Sequence, residues 1–462
     1  MVRRQVNVMN FVDREHELRF LNERWGNKGF EFIPIYGRRR IGKTELVKQF
    51  LKDKAAIYYL ATSGTKKENI EAFKVCAKGV VDVDFLVDDW EPVLKYISEN
   101  ADERIVIVID EFPYLIESQK GMSSIFQRII DLHLENKNLF LILLGSSVGM
   151  MYREVLAYKA PLYGRRTGQI NLKAMSFSNC VKLLDKSVCE CVEIYGVCDG
   201  VPSYLNMFRK KEGFFRLLRE NVINKESVLA EEPVFLLRQE FREPTVYMTI
   251  LSSIASGHTK LGEIIEFCGL KDKTGIMPYI YKLEYCGYVE RELPVVSGRK
   301  GVYKLNDFFM MFWFRFIKPN ISLSDEEILA KIKKEYNTYL GFVFEDVSKE
   351  FLREKRPFGF SKIGRQWGRI PRPAVGETSY EIDIVALNEN KKEIGFYECK
   401  WQELSVKSAL RILEDLQVKS KYVEWKGDER KERFGLIAKK IKGEGKEALR
   451  EMGFDVWDLD DF

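Results

Sequence analysis

The stretch Gly37-Arg38-Arg39-Arg40-Ile41-Gly42-Lys43-Thr44 decides the fold. It has the spacing GxxxxGK[ST], follows the apolar run FIPIY (32–36) and opens the helix-like run TELVKQFL (44–51). Strand, glycine-rich turn and helix together are the context a phosphate loop requires. Gly37 and Gly42 let the backbone curl so that amide N–H groups and a helix N-terminus face one anion. The expected ATP cradle is therefore Gly37, Arg38, Arg39, Arg40, Ile41, Gly42, Lys43, Thr44 and Glu45. Within it, Lys43 is expected to reach the β- and γ-phosphates, and Thr44 to ligate Mg²⁺.

Outward from this stretch, AIYYLA (56–61), IVIVID (105–110) and LFLILLG (139–145) are short and continuously apolar. Such runs suit strands covered by helices on both faces. Helix-like segments separate them, so residues 1–172 predict an α/β fold on a parallel sheet. Asp110 and Glu111 end IVIVID, and a carboxylate at the C-terminal end of a central strand lies at the ligand crevice. Asp110 is expected on the Mg²⁺ side, and Glu111 to polarise the attacking water. Ser146 follows LFLILLG, where it either senses the γ-phosphate or serves as a helix cap.

The 462 residues are 45% hydrophobic and 31% charged, a balance that argues for folded cores and against extended disorder. The net charge of +5 permits nucleic-acid binding without requiring it. His16, His133 and His258 are far apart, and the eight cysteines contain no CxxC pair, which disfavours zinc. The cysteines are expected to be reduced, mostly buried thiols. The longest apolar runs, Ile105–Ile109 and Leu139–Leu144, fall far short of the roughly 20 residues of a membrane span. The start, MVRRQVNVMNF, has no apolar signal core, so a cytoplasmic chain that does not enter a membrane is expected.

Together these motifs resemble the archaeal-type ATPase family, in the signal-transduction branch of the AAA+ NTPases. The resemblance runs through FVDREHEL (11–18), GRRRIGKTEL (37–46), DEFPYL (110–115), LLGSSVGMM (143–151) and APLYGRRTG (160–168). It implies that FVDREHEL packs near the adenine and that Arg165, or the adjacent Arg166, faces the nucleotide as an arginine sensor. It further implies that Pro202, in Gly200-Val201-Pro202, contacts the base or ribose. Residues 173–240 read as a mostly helical lid, broken at GVCDGVP (196–202).

Residues 241–320 read as three helices, Thr245–Ser256, Lys260–Cys268 and Thr274–Tyr285, and then YVEREL (288–293) and GVYKL (301–305) around a basic tip, VVSGRK (295–300). The pattern resembles a winged helix-turn-helix domain. That resemblance implies phosphate contacts by Lys271, Lys273, Lys282, Arg299 and Lys300. The third helix is poor in the Arg, Asn and Gln that read base edges, so non-specific DNA contact and protein docking both stay open. The aromatic run FFMMFWFRFI (308–317), with Arg315 inside it, is expected to be a core helix joining domains. SLSDEE (322–327) reads as a helix N-cap with an acidic first turn.

In the last unit, 321–462, EIDIVAL (381–387) and IGFYECKW (394–401) are joined by NENKKE (388–393). Strand period two puts Glu398 and Lys400 on one face, and a hairpin neighbour brings Asp383 beside them. This resembles the restriction-endonuclease-like nuclease core, with its Asp and its [Asp/Glu]-x-Lys; Ile382 stands where that core often has Pro. The resemblance implies Mg²⁺ held by Asp383, Glu398 and the upstream Glu345, with Lys400 orienting a hydroxide. Lys419 is a further candidate for phosphate contact.

The expected architecture is thus α/β: a P-loop NTPase core (1–172), a helical lid (173–240), a winged helix-turn-helix with linker helix (241–320) and a restriction-endonuclease-like domain (321–462). The expected function is an ATP- and Mg²⁺-dependent switch coupled to DNA, with a nuclease-like domain that either cleaves or only binds. A homo-oligomer is compatible with it. The rivals are a regulatory DNA-binding protein and a protein-docking ATPase.

Overall fold

The apolar runs of the first 145 residues form strands where the pattern puts them. A computed structural model describes residues 12–270, 272–296, 298, 300–370 and 378–462. Phe11, Lys271 and Arg299, named above, lie outside the described residues. The chain divides into two compact units, the first comprising residues through Met175 with Val201–Ser203 and Arg238–Arg242.

In the first unit β1 (Glu31–Tyr36), β2 (Ala56–Leu60), β3 (Ile105–Asp110), β4 (Leu139–Gly145) and β5 (Ile170–Asn171) form a sheet in the order β2-β3-β4-β1-β5. All its pairings are parallel, with Ile35 opposite Leu144 and Ile107 opposite Leu141. Alternation sends Phe32, Ile107 and Leu141 to one face, against Phe73, Trp90 and Phe126. Ile33, Val106 and Ile142 go to the other face, against Leu46, Val47 and Phe50. Both faces are covered, which is why the runs are apolar throughout instead of alternating. Each fully buried Leu or Ile contributes about 1.5–3 kcal/mol relative to exposure. The parallel arrangement also sets the C-terminal ends of β1, β3 and β4 side by side. The phosphate loop, Asp110–Glu111 and Ser146 therefore meet at one edge.

The second unit comprises Ser176–Gly200, Tyr204–Leu237 and Glu243–Phe462. The long helix Asp325–Lys355 begins at Ser324, whose hydroxyl accepts from the Glu327 N–H while the Glu327 carboxylate accepts from the Ser324 N–H. The N-cap expected of SLSDEE is thus closed as a capping box. Along the helix, the Tyr339 hydroxyl donates to the Gly196 carbonyl (2.6 Å). The aromatic run is helical over Phe308–Phe312 and continues as a wider turn over Trp313–Ile317. It is core, as expected: Trp313 is buried and donates its indole N–H to the Ala230 carbonyl (2.7 Å).

Three helices, Thr245–Ala255, Leu261–Phe267 and Lys273–Tyr285, precede a hairpin of β6 (Val289–Glu292) and β7 (Val302–Leu305). A mixed sheet follows: β8 (Lys362–Arg369), β9 (Ser379–Asn388), β10 (Glu393–Leu404), β11 (Lys431–Ile441) and β12 (Asp455–Asp458). Its order is β12-β11-β10-β9-β8; β9 is antiparallel to both neighbours, and β10, β11 and β12 are parallel.

The basic tip begins with two valines that join the sheet: the Val295 N–H donates to the Arg365 carbonyl and the Val296 N–H to the Gln366 side-chain oxygen, both at 3.0 Å. Val295 and Val296 pack against the cluster containing Ile382, Phe396 and Leu416. Glu292 pairs with Arg365 at 3.1 Å. The cause is physical: β8 is an edge strand with main-chain groups to satisfy, and two valines gain by burial there. Lys300 remains exposed.

Cys180, Cys191, Cys198, Cys286 and Cys399 are buried, Cys76 is exposed, and all are free thiols. Among the described residues no helix is long and apolar enough to cross a membrane.

Candidate nucleotide site and a second carboxylate–lysine cluster

The phosphate loop has little room to vary. Gly37 (φ 149°) and Gly42 (φ 95°) adopt positive φ, and a Cβ on Gly37 would lie 2.2 Å from the Leu172 carbonyl oxygen. Only glycine fits there. Lys43 starts the helix Lys43–Phe50 and is buried; its Nζ donates to the Gly37 and Arg38 carbonyls, each at 2.8 Å. Burial lowers its pKa to about 8, against the upward pull of Glu111 and Asp110. Glu45, in the first turn, is half-exposed and pairs with Lys48 at 3.0 Å.

Thr44 Oγ1 donates to Asp110 Oδ2 at 2.9 Å, and the Tyr58 hydroxyl donates to the same oxygen. Asp110 Oδ1 accepts from the Glu111 N–H at 2.9 Å. Glu111 has left-handed backbone (φ 56°), an uncommon state for a non-glycine that costs about 1–3 kcal/mol. Its Oε2 accepts from the Ser146 hydroxyl (2.7 Å) and the Ser146 N–H (3.2 Å). The alternatives left open for Ser146 now separate: Ser146 binds Glu111, and Ser147 caps the helix Val148–Met151.

Three residues here escaped the sequence reading. Tyr58 reads as one more residue of a continuously apolar strand. Arg14 is buried and donates to the Ile41 (3.2 Å) and Lys173 (2.7 Å) carbonyls, which sets part of FVDREHEL against the loop. Glu240, in the short segment 238–242, accepts from Val148 N–H (2.9 Å), Gly149 N–H (3.1 Å) and the Ser147 hydroxyl (3.2 Å). Its charge also acts on Lys43. No local signal marks it. Val201–Ser203, and with it Pro202, belongs to this unit. Arg165 is not gathered with the others: its Nε and Nη2 bind the two carboxylate oxygens of Asp131, each at 2.9 Å. Arg166 lies over the Tyr163 ring at 4.6 Å.

The donor set suits Mg·ATP. Thr44 and Asp110 present hard oxygens, the chemistry of Mg²⁺, and the Lys43 ammonium rests on loop carbonyls that a triphosphate would replace. The lowered Lys43 pKa sets a pH dependence. ATP requires the charged amine, so affinity falls once free enzyme loses that proton. We expect the Kd for ATP to weaken about tenfold between pH 7 and pH 9, measured by titration with a fluorescent ATP analogue. A flat profile would contradict the site.

In the second unit, Asp383 on β9 meets Glu398 and Lys400 on β10. The β9–β10 pairing sets Tyr397 opposite Ile384, and the same register continued brings Glu398 to Asp383. Lys400 Nζ lies 2.7 Å from Glu398 Oε2 and 3.3 Å from Asp383 Oδ2, and Lys419 Nζ lies 2.7 Å from Glu398 Oε1. The Cys399 N–H donates to Asp383 at 2.9 Å. Burial and the Glu398 charge push the Asp383 carboxyl up. Burial also raises Glu398, but Lys400 and Lys419 outweigh it and hold the carboxyl down. Burial and the Asp383 charge push the carboxyl of Glu345, the expected third carboxylate, up to about 8. Glu345 has no hydrogen bond or ion pair among the described residues, and among them no three of His, Cys, Asp and Glu are placed to hold a metal ion. Two lysine ammonium groups occupy the carboxylate oxygens instead.

A parallel sheet with a phosphate loop after β1, a Thr–Asp pair and a carboxylate at the end of β3 defines a P-loop ATPase. Residues 11–208 match the model of an ATPase domain predominantly from Archaea, and the chain is an ATPase. Residues 313–412 match a second family, archaea bacterial proteins of unknown function. The chain belongs to one family with the uncharacterized protein MJECL04 of Methanocaldococcus jannaschii, 42% identical over 98% of this chain and 100% of that protein. The uncharacterized ATP-binding protein MJ0423 of the same organism is 47% identical over 47 residues, 10% of this chain and 80% of that one. The Walker-type ATPase paby2304 of Pyrococcus abyssi shares the fold at TM-score 0.54 and 21% identity, over 68% of this chain and 99% of that one.

Proposed function

We propose that ATP binding and hydrolysis in this chain drive a switch that acts on DNA, and that the C-terminal sheet carries a phosphodiester-cleaving centre. The ATP half rests on the convergence of Lys43, Thr44, Asp110, Glu111 and Ser146 at one sheet edge. Lys43 and the loop amides hold the β- and γ-phosphates, Thr44 and Asp110 hold Mg²⁺, and Glu111 orients the attacking water. In the observed geometry Glu111 is held by Ser146, so hydrolysis requires it to turn from Ser146 towards the water. Pro202 is the candidate base contact; Arg165 serves as sensor only after leaving Asp131.

The DNA half rests on one observation: Lys400 bridges Asp383 and Glu398. Mg²⁺ held by those carboxylates would stabilise charge on a scissile phosphate. Lys400, freed from them, orients the nucleophile. The three helices and hairpin resemble a winged helix, with exposed Lys273, Lys282 and Lys300 as phosphate contacts. The test is Mg²⁺- or Mn²⁺-dependent cleavage of supercoiled and linear DNA. We expect Asp383→Ala and Lys400→Ala each to lower the rate by roughly 10²–10³-fold. A wild-type protein that does not cleave, or variants that cleave normally, would remove the centre.

A second reading, a protein-docking ATPase without DNA contact, is favoured by the docking of Val295 and Val296 on β8, which takes the start of the hairpin tip off the surface. Salt-dependent DNA affinity separates the two, because phosphate contacts release counterions.

A further inference from the structure

The turn after β4 is gripped by two carboxylates. Ser146 donates its hydroxyl (2.7 Å) and its N–H (3.2 Å) to Glu111 Oε2. The three residues that follow face Glu240. The Val148 N–H donates to Oε1 (2.9 Å), while the Gly149 N–H (3.1 Å) and the Ser147 hydroxyl (3.2 Å) donate to Oε2. Both oxygens of Glu240 therefore meet donors, an arrangement that a carboxylate completes and a glutamine, with one NH2, does not. Burial pushes the Glu240 carboxyl up, and the same three donors and the Lys43 charge pull it back.

The pieces around this grip are closely fitted. Ser147 also accepts from the Met150 N–H at 3.3 Å. A Cβ on Gly145 would lie 2.3 Å from Met151 Cγ, so the strand end and the turn pack without slack. Next to Glu240 in the chain, Phe241 is buried and anchors the carboxylate's own segment. Glu111 has only one carboxylate for two tasks: held by Ser146, it cannot polarise water. The Ser146 N–H takes part in that hold, so the bond depends on where the backbone is placed and not only on a rotatable hydroxyl. Glu240 fixes the backbone directly after it.

We propose that Glu240 is a positioning residue for ATP hydrolysis: by holding residues 147–149 it keeps Ser146 bonded to Glu111, and so sets how often Glu111 is free to activate water. It acts through Ser146 and not on the nucleotide. The proposal rests on Glu111 as the water-activating carboxylate. Glu240 closes the helix Glu232–Glu240, so a displacement of that helix end is read out as a change in turnover.

The test is ATP turnover by the full chain as wild type, Glu240→Gln and Glu240→Asp, each also in a Ser146→Ala background. Glutamine removes the charge and sets a donor against a donor; aspartate keeps the charge and draws it back by one methylene. We expect both to raise kcat by about threefold to tenfold, with KM for ATP within about threefold of wild type, as Glu111 is released more often. In the Ser146→Ala background the shorter of the two bonds is already gone. The gain there should fall below about twofold, because changes that act through one contact do not add. Three results would overturn the proposal: an unchanged or lowered kcat in both folded variants, an equal gain with and without the Ser146 hydroxyl, or a gain from glutamine alone. The last would assign the effect to the charge that Glu240 exerts on Lys43. Circular dichroism checks the fold. If neither Glu240 variant folds, Ser147→Ala, which removes one of the three donors, takes their place; it should raise kcat about twofold, and no gain would overturn the proposal. Glu111→Gln keeps the two readings apart: retained turnover there removes Glu111 as the base, whereas failure in the Glu240 arms alone removes only the role of Glu240.

Discussion

Glu111→Gln is expected to lower kcat for ATP hydrolysis by roughly 10²–10⁴-fold, the range for loss of a positioned general base. The substitution tests charge with little change in shape. A glutamine side-chain oxygen accepts the same hydrogen bonds that Glu111 Oε2 takes from the Ser146 hydroxyl and N–H. Backbone strain at φ 56° is unaltered, because it belongs to the turn between β3 and the helix Phe112–Ser118. What disappears is the carboxylate able to polarise water. Lys43 and Thr44 are untouched, so the Kd for ATP should stay within about threefold of wild type. Single-turnover hydrolysis beside equilibrium binding separates the two effects. Retained turnover would move the base elsewhere, and Glu240, whose charge also acts on Lys43, would be the next carboxylate to change.

Lys43→Ala should act on binding first. Charge-assisted bonds to phosphate are worth about 1.5–3 kcal/mol each, so two of them predict a loss of roughly 10²-fold or more in ATP affinity. The same change also affects the free protein. The Gly37 and Arg38 carbonyls would lose the donor that now meets each at 2.8 Å. Water can replace it only partly, and an unsatisfied buried carbonyl costs about 1–3 kcal/mol. Against that, removing the amine removes its own burial penalty, the cause that lowers its pKa. The two terms oppose each other, so urea unfolding should show a change in stability much smaller than the change in binding. Undiminished ATP affinity would sink the assignment of the loop.

The two halves of the site differ in how far the sequence reveals them. Gly37 to Thr44 is contiguous, and Asp110–Glu111 sits at the end of an unmistakable strand. Their chemistry is written at short range, so composition and spacing suffice. Glu240 is different: it reaches Val148 across 92 positions, and in sequence it is one more acid at a helix end. Tyr58 was hidden because a strand tyrosine reads as packing, although its hydroxyl meets Asp110. Arg165 was placed by motif order, yet Asp131, 34 positions away, holds it. In the C-terminal sheet, strand period two foretold Asp383, Glu398 and Lys400 together. Glu345 follows only from resemblance, and its place within reach of the Asp383 charge depends on how a helix crosses the sheet, which no local pattern encodes. β5 has two residues, too few for any periodicity.

The joint between Val295–Val296 and β8 bears on how the second unit folds. Val296 meets Gln366 across 70 positions. The outer edge of the C-terminal sheet is therefore completed only after the chain has closed a long loop, an entropic cost paid before the contact forms. Contacts of that span slow folding relative to local helix pairing. The joint ties the hairpin that follows the three helices to the sheet, so the two are expected to unfold in a single transition in urea. A chain cut near residue 320 is expected to leave the Val295–Val296 segment without the β8 edge it hydrogen-bonds to.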